Sequence, residues 1–143
     1  MRLLILSCSA TKRTDPGMLP ALWRYDGSAF RVLRKALRDL AADRHPHIAI
    51  LSAEYGLIAA DTPIPWYDRK MDPARAEALA PQVQAALCAA LTPDIAAIFV
   101  ALSRAYLPAL GALPAGPWHV TAAQGGIGQR LGQLRRWLHE EGT

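Results

Sequence analysis

A thiol, three hydroxyls and two cations crowd into one heptapeptide, Ser7-Cys8-Ser9-Ala10-Thr11-Lys12-Arg13. Small residues leave backbone N–H groups accessible, and Lys12 and Arg13 add positive charge beside them, a combination that cradles an anion such as a phosphate. Cys8 is the candidate nucleophile, because cations such as Lys12 favour the thiolate. A structural Cys8, buried under the loop with Lys12 only closing it, is the alternative. The stretch is neither a Walker loop nor a dinucleotide fingerprint, and a solvated strand end of a basic protein carries similar residues.

Three further stretches hold chemistry-bearing side chains. In Ser52-Ala53-Glu54-Tyr55-Gly56 a carboxylate and a phenol follow an apolar run directly, and Gly56 permits a sharp turn. Glu54 suits a general acid or base, or a clamp for a base or sugar hydroxyl; otherwise it pairs with an arginine. Trp66-Tyr67-Asp68-Arg69-Lys70 sets aromatic faces among charges, which suits stacking on a base while a cation meets phosphate. The alternative is a lid with Trp66 in the core and Arg69 and Lys70 in water. Gln124-Gly125-Gly126-Ile127-Gly128-Gln129-Arg130 allows close backbone approach to an anion at the start of a helix. Its spacing does not match GxGxxG, and an ordinary βα turn reads the same way.

These stretches need elements to position them. Leu3 to Leu6 is an uninterrupted apolar run and reads as a buried strand, with Ser7 to Arg13 at its carboxyl end, where open α/β sheets bind ligands. Pro20 to Tyr25 suits a short helix. Ser28 caps a helix to about Asp43, with Phe30, Leu33, Leu37 and Leu40 on one face and Arg31, Arg34, Lys35 and Arg38 on the other. His47 to Ala53 reads as the second strand. Two prolines between Ala59 and Met71 argue against regular structure there. Asp72-Pro73 opens a helix to about Leu91, with Leu79, Val83, Leu87 and Leu91 as its stripe and Cys88 as a buried structural thiol. Asp94 to Leu102 is the third strand, Ser103 caps a short helix carrying Tyr106, and Trp118 to Ala122 is a fourth strand. A basic helix from Leu131 to Glu140 ends the pattern.

Alternation of strands and helices predicts an α/β fold: a single-domain three-layer sandwich over residues 1–143, with a mostly parallel sheet of about four or five strands and helices on both faces. Right-handed crossovers put Ser7 to Arg13, Ser52 to Leu57 and Gln124 to Arg130 at the same sheet edge.

Composition narrows the class. The 143 residues are 52% hydrophobic and 20% charged, an ordinary globular balance rather than a disordered one. Two cysteines far apart make no disulfide framework, and no spacing suggests zinc, so neither a metal nor a cofactor is expected. No apolar run reaches membrane-spanning length, and the chain reads as soluble and cytoplasmic. The net charge of +4 suits partners that carry phosphate, nucleotide or nucleic acid, without establishing either.

Together, SCSATK after the first strand, WRYDGSAF, LSAEYGLI and a Tyr67-Asp68 pair ahead of a helix resemble a family of uncharacterised bacterial and phage domains, distantly related to the YaaA peroxide-stress proteins. The opening SCS with its lysine is also similar to the Cys-Ser-Lys segment of archaeosine synthase, an enzyme of 7-deazaguanine modification. The resemblance covers Leu3 to about Met71 most closely. It implies an α/β fold and a setting in nucleic-acid or nucleobase processing, with the matching positions at Ser7, Cys8, Ser9, Lys12, Tyr25, Gly27, Phe30, Ser52, Glu54, Tyr55, Gly56, Tyr67 and Asp68.

The leading expectation is an enzyme acting on a nucleobase, nucleotide or nucleic acid at a glycosidic or base-substituent position. Lys12 and the backbone of Gly125, Gly126 and Gly128, with Arg130, would hold phosphate. Tyr67 or Trp66 would stack on the base, Asp68 or Glu54 would move the proton, and Ser7, Ser9, Tyr25, Ser52, Tyr55 and Gly56 would complete the site. Two other classes compete: a non-catalytic DNA- or RNA-binding module with Arg31, Arg34, Lys35, Arg38, Arg69, Lys70, Arg130, Arg135 and Arg136 as its patch, and a deoxyribosyltransferase-like enzyme with Glu54 as nucleophile.

Overall fold

The structure, a computed structural model, describes residues 1–140. In chain order the strands and helices are β1 (Arg2–Ser7), β2 (Leu19–Pro20), α1 (Ala21–Arg24), α2 (Ser28–Asp39), β3 (His47–Ser52), β4 (Gly56–Ala59), β5 (Pro63–Ile64), α3 (Pro73–Ala90), β6 (Ala97–Ala101), α4 (Leu107–Leu110), β7 (His119–Ala122) and α5 (Ile127–His139). Short 3-10 turns at Ala42–Arg44 and Arg104–Tyr106 complete the described elements.

Five strands form the main sheet in the order β4-β3-β1-β6-β7. β1 pairs parallel with β3 on one side and with β6 on the other, β7 continues parallel beyond β6, and only β4 runs antiparallel, as the return arm of a hairpin from β3. β1 is central because all six of its residues are buried and both of its edges are paired. Its side chains alternate between two cores, as the period of two requires. Leu3 and Ile5 enter a core with Leu79, Val83 and Leu87 of α3. Leu4 and Leu6 enter the other core, with Phe30 and Leu33 of α2 and Leu134, Trp137 and Leu138 of α5. Helices therefore cover both faces, α2 and α5 on one and α3 and α4 on the other, and the fold is the three-layer α/β sandwich.

The chain leaves β1 toward β3 under one face and reaches β6 from α3 under the other. Neighbouring strands β1 and β6 thus send their following segments to opposite sides, which opens a crevice beyond their carboxyl ends. Ser7 sits at this divide: its Oγ accepts the Ser103 N–H at 3.2 Å and lies 3.4 Å from Ser103 Oγ.

The structure departs from expectation at several points. Gly56–Ala59 forms edge strand β4, which the sequence pattern did not single out, because four residues that begin at a turn glycine carry little alternation. Its outer edge is partly covered: the Gln82 side chain accepts the Leu57 N–H at 3.0 Å and donates to the Leu57 carbonyl at 3.1 Å, imitating a strand partner. α2 stops at Asp39 rather than Asp43, and α5 starts at Ile127 rather than Leu131. Cys88 is exposed, not a buried structural thiol, since Leu79, Val83 and Leu87 already occupy the inward stripe of α3. No described helix is long and apolar enough to cross a membrane.

Candidate functional site

The loop after β1 is held by a small network. Lys12 and Tyr25 form an antiparallel bridge, the Arg13 N–H donates to the Arg24 carbonyl at 2.8 Å, and the Asp26 N–H donates to the Thr11 carbonyl at 2.9 Å. The Ser9 hydroxyl donates to the Thr11 carbonyl at 2.6 Å and accepts the Gly27 N–H at 3.2 Å. Gly27 is needed for this approach, because a Cβ there would lie 2.7 Å from Ser9 Cβ. Beneath the loop, Arg24 is fully buried and donates to the carbonyls of Arg13, Asp15, Gly17 and Ile64.

A phenol cluster supports Lys12 from the β3 side. Tyr67 Oη lies 2.6 Å from Tyr25 Oη and 2.9 Å from Ser52 Oγ. Ser52 Oγ also accepts the Glu54 and Tyr55 N–H groups at 3.1 Å each, so its own proton is left to donate to Tyr67. The Tyr55 ring meets Tyr67 edge-on at 5.4 Å, and Lys12 Nζ sits 4.6 Å from the Tyr67 ring centroid. Burial pushes Tyr25 up to about 12 and lifts Tyr67 well beyond the usual phenol range, so both remain neutral hydrogen-bonding groups.

Beside this cluster a pocket of about 580 Å³ opens at the crevice between the ends of β1 and β6. Ser7, Cys8, Ser9, Ala10 and Lys12 form one wall, and Gly27 to Phe30 at the start of α2 form the next. Asp68 to Met71 lies across it, Ser103 and Tyr106 follow β6, and Ile127, Arg130 and Leu131 come from the first turns of α5. Cys8 Sγ lies 2.9 Å from Tyr106 Oη. Burial first, and then this bond to sulfur, raise the Tyr106 phenol above its ordinary range, so Tyr106 keeps its proton beside the thiol. Arg130 is oriented by two carbonyls, donating from Nε to Gly125 at 3.0 Å and from Nη1 to Leu102 at 3.1 Å, and its remaining N–H groups are left for the pocket. The pocket thus places a thiol, a carboxylate and four cations, Lys12, Arg69, Lys70 and Arg130, around a largely aliphatic floor.

Residues 3–140 match the model of a family of unknown function, DUF6884. The chain belongs to DUF6884. No curated protein and no solved structure matches it.

Within this DUF6884 domain the candidate residues separate into groups. Ser7, Cys8, Ser9, Lys12, Asp68 and Arg130 share the pocket. Tyr25, Ser52, Tyr55 and Tyr67 form the adjoining cluster and do not line it. Glu54 also lies outside; its carboxylate pairs with Arg69 at 3.2 Å. Gly56 is buried with φ of +76°, and a side chain there would run into Gln82, which gives it a packing role. Trp66 is 53% exposed and away from the pocket wall.

The glycine loop behaves differently from a free anion cradle. The Gln124 N–H donates to Gln133 Oε1 at 2.9 Å and the Gly126 N–H to Gln129 Oε1 at 3.0 Å, so side chains of α5 already occupy these donors. Gly125 turns the chain with φ of +88°, and Gly128 belongs to the first turn of the helix. Among the described residues no group of three or more His, Cys, Asp or Glu is placed to hold a metal ion.

Tyr106 and Ser103 of DUF6884 escaped the sequence reading as pocket residues, because nothing local marks a short helix as returning to Cys8. Arg75 escaped as well: it ties the β3–β4 turn by donating to the carbonyls of Ala53 at 2.8 Å and Glu54 at 2.7 Å. A cation in the first turn of a helix, against the helix dipole, was the signal available for it.

Proposed function

We propose that this DUF6884 domain is an enzyme that binds a phosphate-bearing nucleotide unit in the pocket beyond β1 and β6 and alters it at a glycosidic or base-substituent bond. The observation that carries this reading is the convergence of Cys8 and Lys12 from the loop after β1, Asp68 from the segment ahead of α3 and Arg130 from α5, three separate segments, on one pocket of nucleotide dimensions. Lys12 and Arg130 meet the phosphate, and the aliphatic floor around Leu6, Ala101 and Leu131 takes the face of the base. Cys8 supplies the nucleophile: its sulfur bonds to the reacting carbon as that carbon's bond to the leaving group breaks, Asp68 takes the thiol proton and passes it to the departing group, and Tyr106 holds the sulfur in place through the 2.9 Å contact. The resemblance of the SCS-and-lysine stretch from Ser7 to Lys12 to an archaeosine synthase segment, and of the chain to a domain family read as distantly related to the YaaA proteins, is what suggests a setting in nucleobase or nucleic-acid chemistry. The reading with Glu54 as nucleophile has less support, since Glu54 is paired with Arg69 outside the pocket.

Calorimetric titration of nucleoside monophosphates and their parent nucleosides tests the binding half of the proposal. The monophosphate binds more tightly than the nucleoside, and Lys12→Ala or Arg130→Ala each weakens it by about tenfold, the loss of one charge-assisted contact. Cys8→Ser and Asp68→Asn bind the monophosphate normally but lose turnover of the substrate that a library screen identifies. Equal affinity for nucleoside and monophosphate, indifferent to both cation substitutions, counts against it.

A further inference from the structure

The helices that open onto the pocket also form a second groove. α2 and α5 pack side by side on one face of the sheet, and both begin at the edge that carries the pocket. Ala29 and Phe30 of α2 and Leu131 and Leu134 of α5 belong to the pocket. The next residues along the same two helices, Arg31, Val32 and Lys35 on α2 with Arg135 and His139 on α5, line a separate groove of about 390 Å³ on the outer surface. One helix–helix seam therefore runs from the pocket to an outer groove with cations on both banks.

The charge on this seam is largely uncompensated. Lys35 and Arg135 make no ion pair with any described residue, nor does Arg38, exposed on the same side of α2. Arg31 is paired with Asp26 at 3.3 Å but keeps most of its side chain in solvent, 67% exposed. Asp39 is the carboxylate in the groove. Packing does not explain these positions, because the inward stripe of α2 is made by Phe30, Leu33 and Ala36. Exposed cations spaced along a groove are the electrostatic footprint of a polyanion. From Ser28 at the pocket to Lys35 in the groove α2 rises about 10 Å, so the groove cations lie close to the pocket mouth.

We propose that the nucleotide unit belongs to a single-stranded nucleic acid, whose backbone lies along the α2–α5 seam on Arg31, Lys35, Arg38 and Arg135 while one nucleotide enters the pocket. This inference rests on the nucleotide reading of the pocket and names its substrate class. A single strand fits better than a duplex, because a nucleotide must leave the backbone track to reach Cys8 and Asp68, and an unpaired one does so without the cost of unstacking a pair.

Fluorescence anisotropy with a labelled single-stranded DNA oligonucleotide, its duplex and a polyglutamate competitor tests the proposal. The single strand binds with a log–log salt slope of about −3 to −4, as four seam contacts and the pocket phosphate require. The Lys35→Ala/Arg135→Ala variant, its fold checked by circular dichroism, loses about tenfold in affinity and about 1.4 of that slope, while its binding of a nucleoside monophosphate is unchanged. A salt-independent affinity, an unaltered double variant, preference for the duplex, or equal competition by polyglutamate at matched charge each overturns the seam. Monophosphate binding that depends on Arg130, with no oligonucleotide binding, defeats this inference and leaves the pocket reading intact. Oligonucleotide binding through Lys35 and Arg135 that ignores Lys12→Ala and Arg130→Ala, with no monophosphate bound, defeats the pocket reading and takes this inference with it.

Discussion

Tyr25, Tyr67 and Ser52 show how a few hydroxyls fix the position of a cation. Their hydrogen bonds at 2.6 and 2.9 Å hold the Tyr67 ring under Lys12, and burial keeps both phenols protonated. Burial raises Tyr25 from 10.0 to about 12 and Tyr67 further still. A folded-state pKa above the unfolded one gives stability that is complete below about pH 10 and declines as pH rises through the folded value. For Tyr25 the two-unit difference corresponds to roughly 2–3 kcal/mol. Urea unfolding measured from pH 8 to 12 therefore gives a flat stability up to about pH 10 and a falling one above it, and Tyr25→Phe flattens the fall. A tyrosinate absorbance titration that completes while the chain is still folded contradicts the assignment. Tyr25 and Tyr67 were visible in the sequence as aromatic residues near charges. Their pairing was not, because 42 residues separate them and only the packed fold brings their hydroxyls together. A still longer separation of 98 residues hid Tyr106 from Cys8, while Cys8, Lys12 and Asp68 were legible because each follows or precedes a clear element boundary.

At the scale of elements, periodicity located the long pieces and failed on the short ones. β1, β3 and β6 are apolar runs ended by polar residues, and α2 and α3 carry unbroken stripes, so each was readable from its own residues. β4 and β5 are four and two residues long and depend on neighbours for their pairing, which no local pattern carries. α5 was misjudged at its start because glycines conventionally signal loops, yet Gly128 and Gly132 both lie within the helix. A Cβ at Gly132 would meet nothing within 4 Å, so packing does not demand the glycine. Gly132→Ala accordingly stabilises the free protein by about 0.5–1 kcal/mol, read as a raised urea midpoint. A loss of stability would mean that the neighbouring helix face leaves less room than the backbone geometry allows.

For the whole molecule, the decisive feature is that one strand serves two cores and one crevice. The sequence announced the strand and its loop, but the order β4-β3-β1-β6-β7, and with it the meeting of the β1 loop with α5 rather than with Glu54, emerges only from the crossovers. Because Leu3 and Ile5 belong to one core and Leu4 and Leu6 to the other, neither face can lose its packing while β1 stays in place for its partner. The two faces should therefore unfold as one cooperative unit. Two tryptophans report on them separately: Trp137 is buried between α5 and the sheet, and Trp118 packs against the opposite core. With the exposed Trp23 and Trp66 replaced by Phe, and either Trp118 or Trp137 replaced in turn, the two single-tryptophan chains give coincident urea transitions that also match circular dichroism at 222 nm. Separate midpoints, with the Trp118 face melting first, would show instead that the α3–α4 layer opens while β1 remains held by α2 and α5, leaving the pocket walls of α2 and α5 intact and Tyr106 displaced from Cys8.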